Sequence, residues 1–510
     1  MRVMMLIALL AGPAAAQDVR FEDARGALPG PDHVYGGGWE HFVGGGVAVM
    51  DCNADGRPDI FVAGGENPAR LFINQTVEAM AFADGAIPAL TGVTGAYPID
   101  IDGDGHADLV VLRVGENLVM RGDGTCHFAR ANEVWGFDGG DAWSTAFSAT
   151  WEPGARAPTL AIGNYVDRSD PSGPFFACDE NALHRPEGDA YARIPLTPGF
   201  CALSALFSDI DGDGRAELRL SNDRHYYVRD GYEQLWDLDP LAERVASGAW
   251  DPVAIWGMGI ASRDLTGDGR PEVMLTSMGD QLLMIAEGEG YVRAPLSLGT
   301  YATRPHTGED GRPSTGWHAE FADVNNDGLP DLFIAKGNVD QMPDMAMADP
   351  NNLLLQRADG TFTEIGATAG IATPDRARGA AFADFDGDGR LDLVVVNRRA
   401  PMELWRNVTD AAPAVFVTLR ANGPNRDAVG AVVELRQDTH LQRIERTVGG
   451  GHVSGALVPL HFGLGAGGPA LVRVLWPGQT TPSAWLAVPA GARHVTLAQT
   501  ARGDTVLTSH

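Results

Sequence analysis

Oxygen-bearing side chains recur along this 510-residue chain at a spacing that suits a hard cation. Six times an Asp is followed at fixed offsets by two further polar ligands, a glycine and a closing acid. Positions 1, 3, 5, 7 and 9 of each loop form the expected metal set. In the first three loops they are Asp51, Asn53, Asp55, Arg57 and Asp59; Asp100, Asp102, Asp104, His106 and Asp108; and Asp209, Asp211, Asp213, Arg215 and Glu217. In the last three they are Asp264, Thr266, Asp268, Arg270 and Glu272; Asp323, Asn325, Asp327, Leu329 and Asp331; and Asp384, Asp386, Asp388, Arg390 and Asp392. Carboxylate, amide and carbonyl oxygens are the ligands Ca2+ takes, and a glycine at position 6 allows the sharp turn that brings them together. Up to six Ca2+ are therefore expected. Thr266 replaces an acid or amide at position 3, so loop four is expected to bind most weakly.

The loops are not EF-hands. Those need a bidentate Glu at position 12 and flanking helices, whereas position 12 here is Val62, Val111, Leu220, Leu275, Ile334 and Val395. Apolar runs such as Ile60-Phe-Val-Ala and Leu393-Val-Val-Val follow the loops, and Gly46-Val-Ala-Val and Gly379-Ala-Ala-Phe-Ala precede them. Both kinds of run read as short buried strands, so each unit is strand, acidic loop, strand.

Spacing sets the architecture. The loops begin at residues 51, 100, 209, 264, 323 and 384, and the second interval is twice the others. Phe147 to Asn164 lies in that gap, with two strand-like runs around a turn and no acidic ladder, and is expected to be a repeat without metal. Seven repeats of about four strands suit a seven-bladed β-propeller, whose radial closure hides edge strands. After Asp410-Ala-Ala-Pro413 the loops stop. Runs such as Val415-Phe-Val-Thr-Leu-Arg and Leu471-Val-Arg-Val-Leu alternate as half-exposed strands do, and predict an all-β chain that ends in a small β-sandwich over residues 411–510.

Gly44-Gly-Gly-Val-Ala-Val-Met-Asp51 and Gly379-Ala-Ala-Phe-Ala-Asp384-Phe-Asp-Gly-Asp-Gly resemble FG-GAP/VCBS repeats, the blades of integrin-α-like propellers. Asn425-Arg-Asp-Ala-Val-Gly430-Ala, Gly449-Gly-Gly-His452, His461-Phe-Gly-Leu-Gly465 and Trp476-Pro-Gly478 resemble the ASPIC/UnbV domain. The combination is similar to the cartilage acidic protein family in its bacterial-type members. The resemblance implies fold and calcium binding, and little about purpose.

Arg2, the apolar run Val3 to Leu10 and Ala14-Ala-Ala16 read as a secretory signal over residues 1–16, with the propeller over 17–410. No later stretch is long enough to span a bilayer, and no cysteine at the cleavage site offers a lipid anchor. An exported destination, periplasmic or extracellular, is expected. Of three possible pairings of the four cysteines, Cys52–Cys126 with Cys178–Cys201 is expected, the second closing an insertion between blades three and four; free buried thiols are the alternative. The formal net charge of −29 falls once the acidic loops hold divalent ions, and 38 basic against 67 acidic residues disfavours nucleic acid.

Other chemistry-bearing residues have plainer readings. His41, and His318 with Glu320, admit an acid–base pair or packed histidines near the axis. His452 and His461 lack a third metal ligand. Arg121-Gly-Asp123 and Arg502-Gly-Asp504 spell an integrin tripeptide, the first in a repeat turn, and Asn74 and Asn407 open glycosylation sequons. The expected role is a calcium-stabilised module binding a protein or glycan, with the propeller top and central opening as natural surfaces. The rival is a carbohydrate-active hydrolase or lyase using Asp167, Arg168, His184, Arg185, His225, Tyr226 or His306 on insertions at 165–200, 223–250 and 300–316.

Overall fold

The computed structural model describes residues 18–172, 176–223, 231–248, 250–301, 304–306 and 310–510. The expected signal segment, His225 and Tyr226 lie outside them. Seven sheets form the blades, six of four antiparallel strands and one, that of blade one, with a fifth strand added in parallel. Blade one runs Val47–Met50, Asp59–Val62, Arg70–Asn74 and Phe82–Asp84, and each later blade repeats this meander. Each blade's first strand packs beside the next blade's, and blade seven returns to blade one, so the ring is closed. Blade seven takes its outermost strand from the other end of the chain: Phe21–Asp23 pairs with Glu403–Asn407, Phe21 opposite Asn407. Joining the two ends of the ring this way leaves it no free seam.

The first two strands of most blades are wholly buried, as in Ser144–Thr150 and Thr159–Asn164 of blade three. That burial accounts for their continuous runs of small and β-branched residues. The expected metal-free repeat is thus a complete blade, finished by Asn181–Glu187 and Ala190–Leu196. Two of the expected insertions are largely outer strands of blades three and four; the latter are Gln234–Leu238 and Leu241–Glu243. Both disulfides pair as expected. Cys178, however, lies between the second and third strands of blade three, so its bond to Cys201 ties a loop within that blade to the start of blade four. The expected insertion between the blades is not there.

Beyond residue 413 two further four-stranded sheets pack face to face. Val415, Val417, Val433, Leu435, Phe462, Val472, Val474 and Trp476 fill the space between them. This sandwich sits on the face of the ring that carries the acidic loops. His440 Nε2 lies 3.0 Å from the Gly328 carbonyl, the Gly465 N–H donates to Asn326 O at 2.8 Å, and Glu445 accepts the Asp209 N–H at 3.1 Å.

The sandwich also sends residues 448–457 down the propeller axis. Val448 O accepts the Ser148 hydroxyl of blade three, the Gly450 N–H reaches Ala205 O of blade four, and the Gly451 N–H reaches Ile260 O of blade five. The His452 N–H donates to His318 Nδ1 of blade six, and Gly455–Leu457 adds a parallel strand to Val47–Met50 of blade one. A Cβ on Gly46 would meet Val453 O at 1.8 Å, and one on Gly95 would meet it at 2.2 Å. Glycine at these two positions is what admits the plug. The central opening expected as a binding surface is therefore filled, on the loop side, by the chain itself.

Candidate metal centres

Each acidic loop joins the first and second strands of its blade, so all six line one face of the ring. Position 1 shapes the turn. In loop one Asp51 Oδ2 accepts the Gly56 N–H at 2.8 Å and Oδ1 accepts the Asp55 N–H at 3.0 Å. In loop six Asp384 makes the same bonds with Gly389 at 2.9 Å and Asp388 at 3.0 Å. The position-6 glycines hold φ between +84° at Gly56 and +93° at Gly389, a region that side chains disfavour. Position 5 accepts the N–H of position 7, as in Arg57 to Asp55 at 3.0 Å and Leu329 to Asp327 at 2.8 Å.

Position 9 does more than ligate. It opens the second strand and braces two other segments. Asp331 Oδ2 accepts the Val324 N–H at 3.0 Å and Oδ1 accepts the third-strand Gln356 N–H at 2.9 Å. Asp59, Asp108 and Asp392 repeat the arrangement on Asn74, Gly122 and Asn407. The sequence spacing carries no sign of these third-strand partners. The amides of Asn74 and Asn407 then cross to the neighbouring blade, donating to Phe385 O at 2.9 Å and Val324 O at 2.8 Å. Both residues are fully buried. The glycosylation reading of these two sequons is thereby overturned, since neither amide is open to a transferase.

Ligand oxygens converge. Those of Asp100, Asp102 and Asp108 lie within 4.8 Å of one another, as do those of Asp209, Asp211 and Glu217, and of Asp384, Asp386 and Asp392. Burial raises the acids. Asp59 is pushed up to about 7, Asp108 and Glu217 to about 8, and Asp331 and Asp392 well above the ordinary carboxylate range. At position 1 burial lifts Asp100 and Asp384 to about 6 and Asp323 to about 7. Such clusters are costly unless a cation answers them. A set of hard oxygens fits Ca2+.

Arginines answer part of the charge. Arg121 pairs with Asp102 at 2.7 Å and Asp104 at 2.9 Å, Arg244 reaches Asp211 and Glu217, and Arg406 reaches Asp386 and Asp388. Arg121 of the first integrin-like tripeptide is thus committed to loop two. In loop four, Thr266 donates its N–H to Glu272 at 3.2 Å, and among the described residues no third carboxylate joins Asp264 and Glu272 at close range. Loop five has no ion pair to Asp323, Asp327 or Asp331 among the described residues.

The histidine candidates resolve by geometry. His318 lies 3.4 Å from Glu320, but its Nδ1 already accepts the plug N–H, which leaves no ring nitrogen free as a base. His452 is fully buried; Nδ1 faces Leu203 O at 3.2 Å, Nε2 accepts the Gly44 N–H at 3.3 Å, and burial drops it to about 3. It is a neutral pin in the axis. His41 is buried behind Tyr35. Arg185 bonds Glu152, while Asp167, Arg168 and His184 line one cavity between blades two and three.

Residues 51–111, 264–334 and 338–395 match the FG-GAP-like repeat, and residues 421–503 match ASPIC and UnbV. The chain is an FG-GAP-repeat propeller with an ASPIC/UnbV domain. It is 28% identical over 221 residues to cartilage acidic protein 1 of Homo sapiens, covering 40% of this chain and 31% of the relative. The Xenopus tropicalis protein of the same name is 25% identical over 225 residues, covering 40% and 32%. The chain thus spans about a third of the length of the curated relatives it matches. Among solved structures, BBS1N in complex with ARL6DN is similar at 11% identity and a TM-score of 0.45, covering 77% of this chain and 98% of that one. That likeness is too distant to bear on function.

Proposed function

We propose that this FG-GAP propeller is an exported, calcium-braced interaction module that binds a protein or glycan partner. The observation that carries the reading is the convergence of carboxylates in loops two, three and six on one face, each set closed by a buried acid that burial holds above its ordinary range. When bound, Ca2+ would supply the positive charge these turns lack. The chain's own residues shape the turn through positions 1 and 6 and brace the third strand through position 9. Two disulfides support an oxidising destination, where calcium is plentiful enough for weak sites. Among the described residues no helix is long and apolar enough to cross a membrane.

With the loop face covered by the sandwich and the axis plugged, contact with a partner falls to the opposite face. There a mouth of about 450 Å3 stays open, lined by Trp317, Tyr165, Met258, Met278 and Met342, with Phe176 71% exposed at its rim. Aromatic and thioether side chains of this kind are common at contact surfaces.

The test is a panel of immobilised glycans and extracellular proteins, probed with and without chelator, beside hydrolase and lyase substrates. Calcium-dependent retention without turnover is expected. Turnover of any substrate would favour the enzyme reading, and retention indifferent to chelation would remove calcium from the account.

A further inference from the structure

Between blades two and three lies an open cavity of about 690 Å3 on the face away from the acidic loops. Its walls carry Asp138, Asp141, Asp167 and Asp179, with Arg193 and the ring of His184. His184 is 4% exposed, meets Phe137 in a tilted ring contact at 4.9 Å, and has no hydrogen-bond partner for either ring nitrogen among the described residues. The ring lines the open space, where a ligand's donor could reach it. Burial lowers it to about 4, so it is neutral and one nitrogen is an acceptor.

The cavity is rich in acceptors and poor in donors. Among the described residues none of the four carboxylates is in an ion pair. Arg168, which also lines the space, is committed to Glu40 at 2.6 Å, and Arg193 leans toward Glu180 at 3.8 Å. Asp138 and Asp179 each accept only a nearby backbone N–H, Asp167 accepts from Ser169, and Asp141 accepts nothing. With Asp138 and Asp141 exposed at its rim and Asp167 and Asp179 half-buried, the lining suits a ligand that brings positive charge and several N–H groups. The carboxylates do not converge as those of loops two, three and six do, and the space far exceeds a single ion.

We propose that this cavity binds a small organic polyamine, with its ammonium groups on the aspartates and one N–H donated to the His184 ring. The site is independent of the calcium loops and of the partner-binding reading.

Titration calorimetry of spermidine into the full chain, with calcium saturating, tests it. Saturable binding at one site per chain is expected. The double variant Asp141→Asn/Asp179→Asn should weaken it at least about tenfold through lost charge-assisted bonds, as should His184→Leu through the lost acceptor. A control pair on exposed acids elsewhere, Glu78→Gln/Glu289→Gln, should leave it unchanged. Melting curves confirm that each variant folds. The absence of saturable binding, an equal loss in the control pair, or tighter binding of a lysine-rich peptide than of spermidine would overturn the proposal.

Discussion

Blade six and blade three make their first turn at the same place and differ in the charge they set there. In blade six the second strand opens with Asp331, and the turn before it holds Asp323, Asn325 and Asp327, none of them in an ion pair among the described residues. In blade three the second strand opens with Thr159, whose hydroxyl donates to Glu152 at 2.6 Å, and Arg185 Nε reaches the same carboxylate at 2.7 Å. Blade three carries its cation in its own third strand. On the proposed reading, blade six takes one from solution. Loop three stands between them, with Arg244 against Asp211 and Glu217. The propeller geometry evidently tolerates either source of positive charge, and this explains how one repeat can lose every ligand and keep its shape.

The largest effect that sharpens this contrast is on pH dependence. With calcium chelated, the folded protein holds protons on Asp59 up to about 7 and on Asp108 up to about 8, while the unfolded chain releases them near 3.8. The folded state binds more protons over that window, so stability falls as pH rises. Below pH 6.5 the buried neutral histidines, such as His452 at about 3, work in the opposite direction, which makes pH 6.5 to 8 the clean window. Denaturant melts there should lose several kcal/mol in chelator, at roughly 1.4 kcal/mol per unit for each group, and almost none in calcium. A flat chelated profile would break the comparison.

Next comes Asp331→Asn, which puts an amide N–H against one of two buried backbone donors. About 2–3 kcal/mol should be lost, against about 1 kcal/mol for Thr159→Val in blade three. Equal losses at the two positions would show that position 9 is only a strand terminus. A smaller effect is expected of Arg185→Leu. Its partner Glu152 is partly exposed, so about 1 kcal/mol is expected, and added calcium should not restore it; rescue by calcium would mean that blade three also binds metal. Smallest is Thr266→Asp, which should raise the melting midpoint slightly in calcium and lower it in chelator. A rise in both would deny loop four a metal.

Repetition made the ring legible. The spacing of the first aspartates implies seven blades, and the double interval marks the place of blade three. The cysteine pairing was legible for a different reason, since only a few combinations exist. What the sequence hid is tertiary in origin. Gly449-Gly-Gly-His452 reads as a motif of the sandwich, but its role depends on Gly46 and Gly95 clearing the axis for it. Asn74 and Asn407 match a surface sequon in three residues, and only burial shows that they tie neighbouring blades together. The outer strands of blades three and four looked like insertions because polar residues interrupt them, as in Ala190–Leu196, where one face is solvated. Arg121, Arg244 and Arg406 come from third strands or the turn beyond the fourth, so the local spacing that defines the loops holds no trace of them as partners of the acids.

The account rests on six loops that take an external cation and one blade that does not. Calcium counting decides it: protein stripped by chelator at pH 8 is dialysed against calcium, and bound ion per chain is measured alongside the melting midpoint. The account predicts saturable binding approaching six ions, loop four filling last, and a midpoint that climbs with occupancy. A stripped protein that binds no calcium, or that binds it with no change in midpoint, would contradict it.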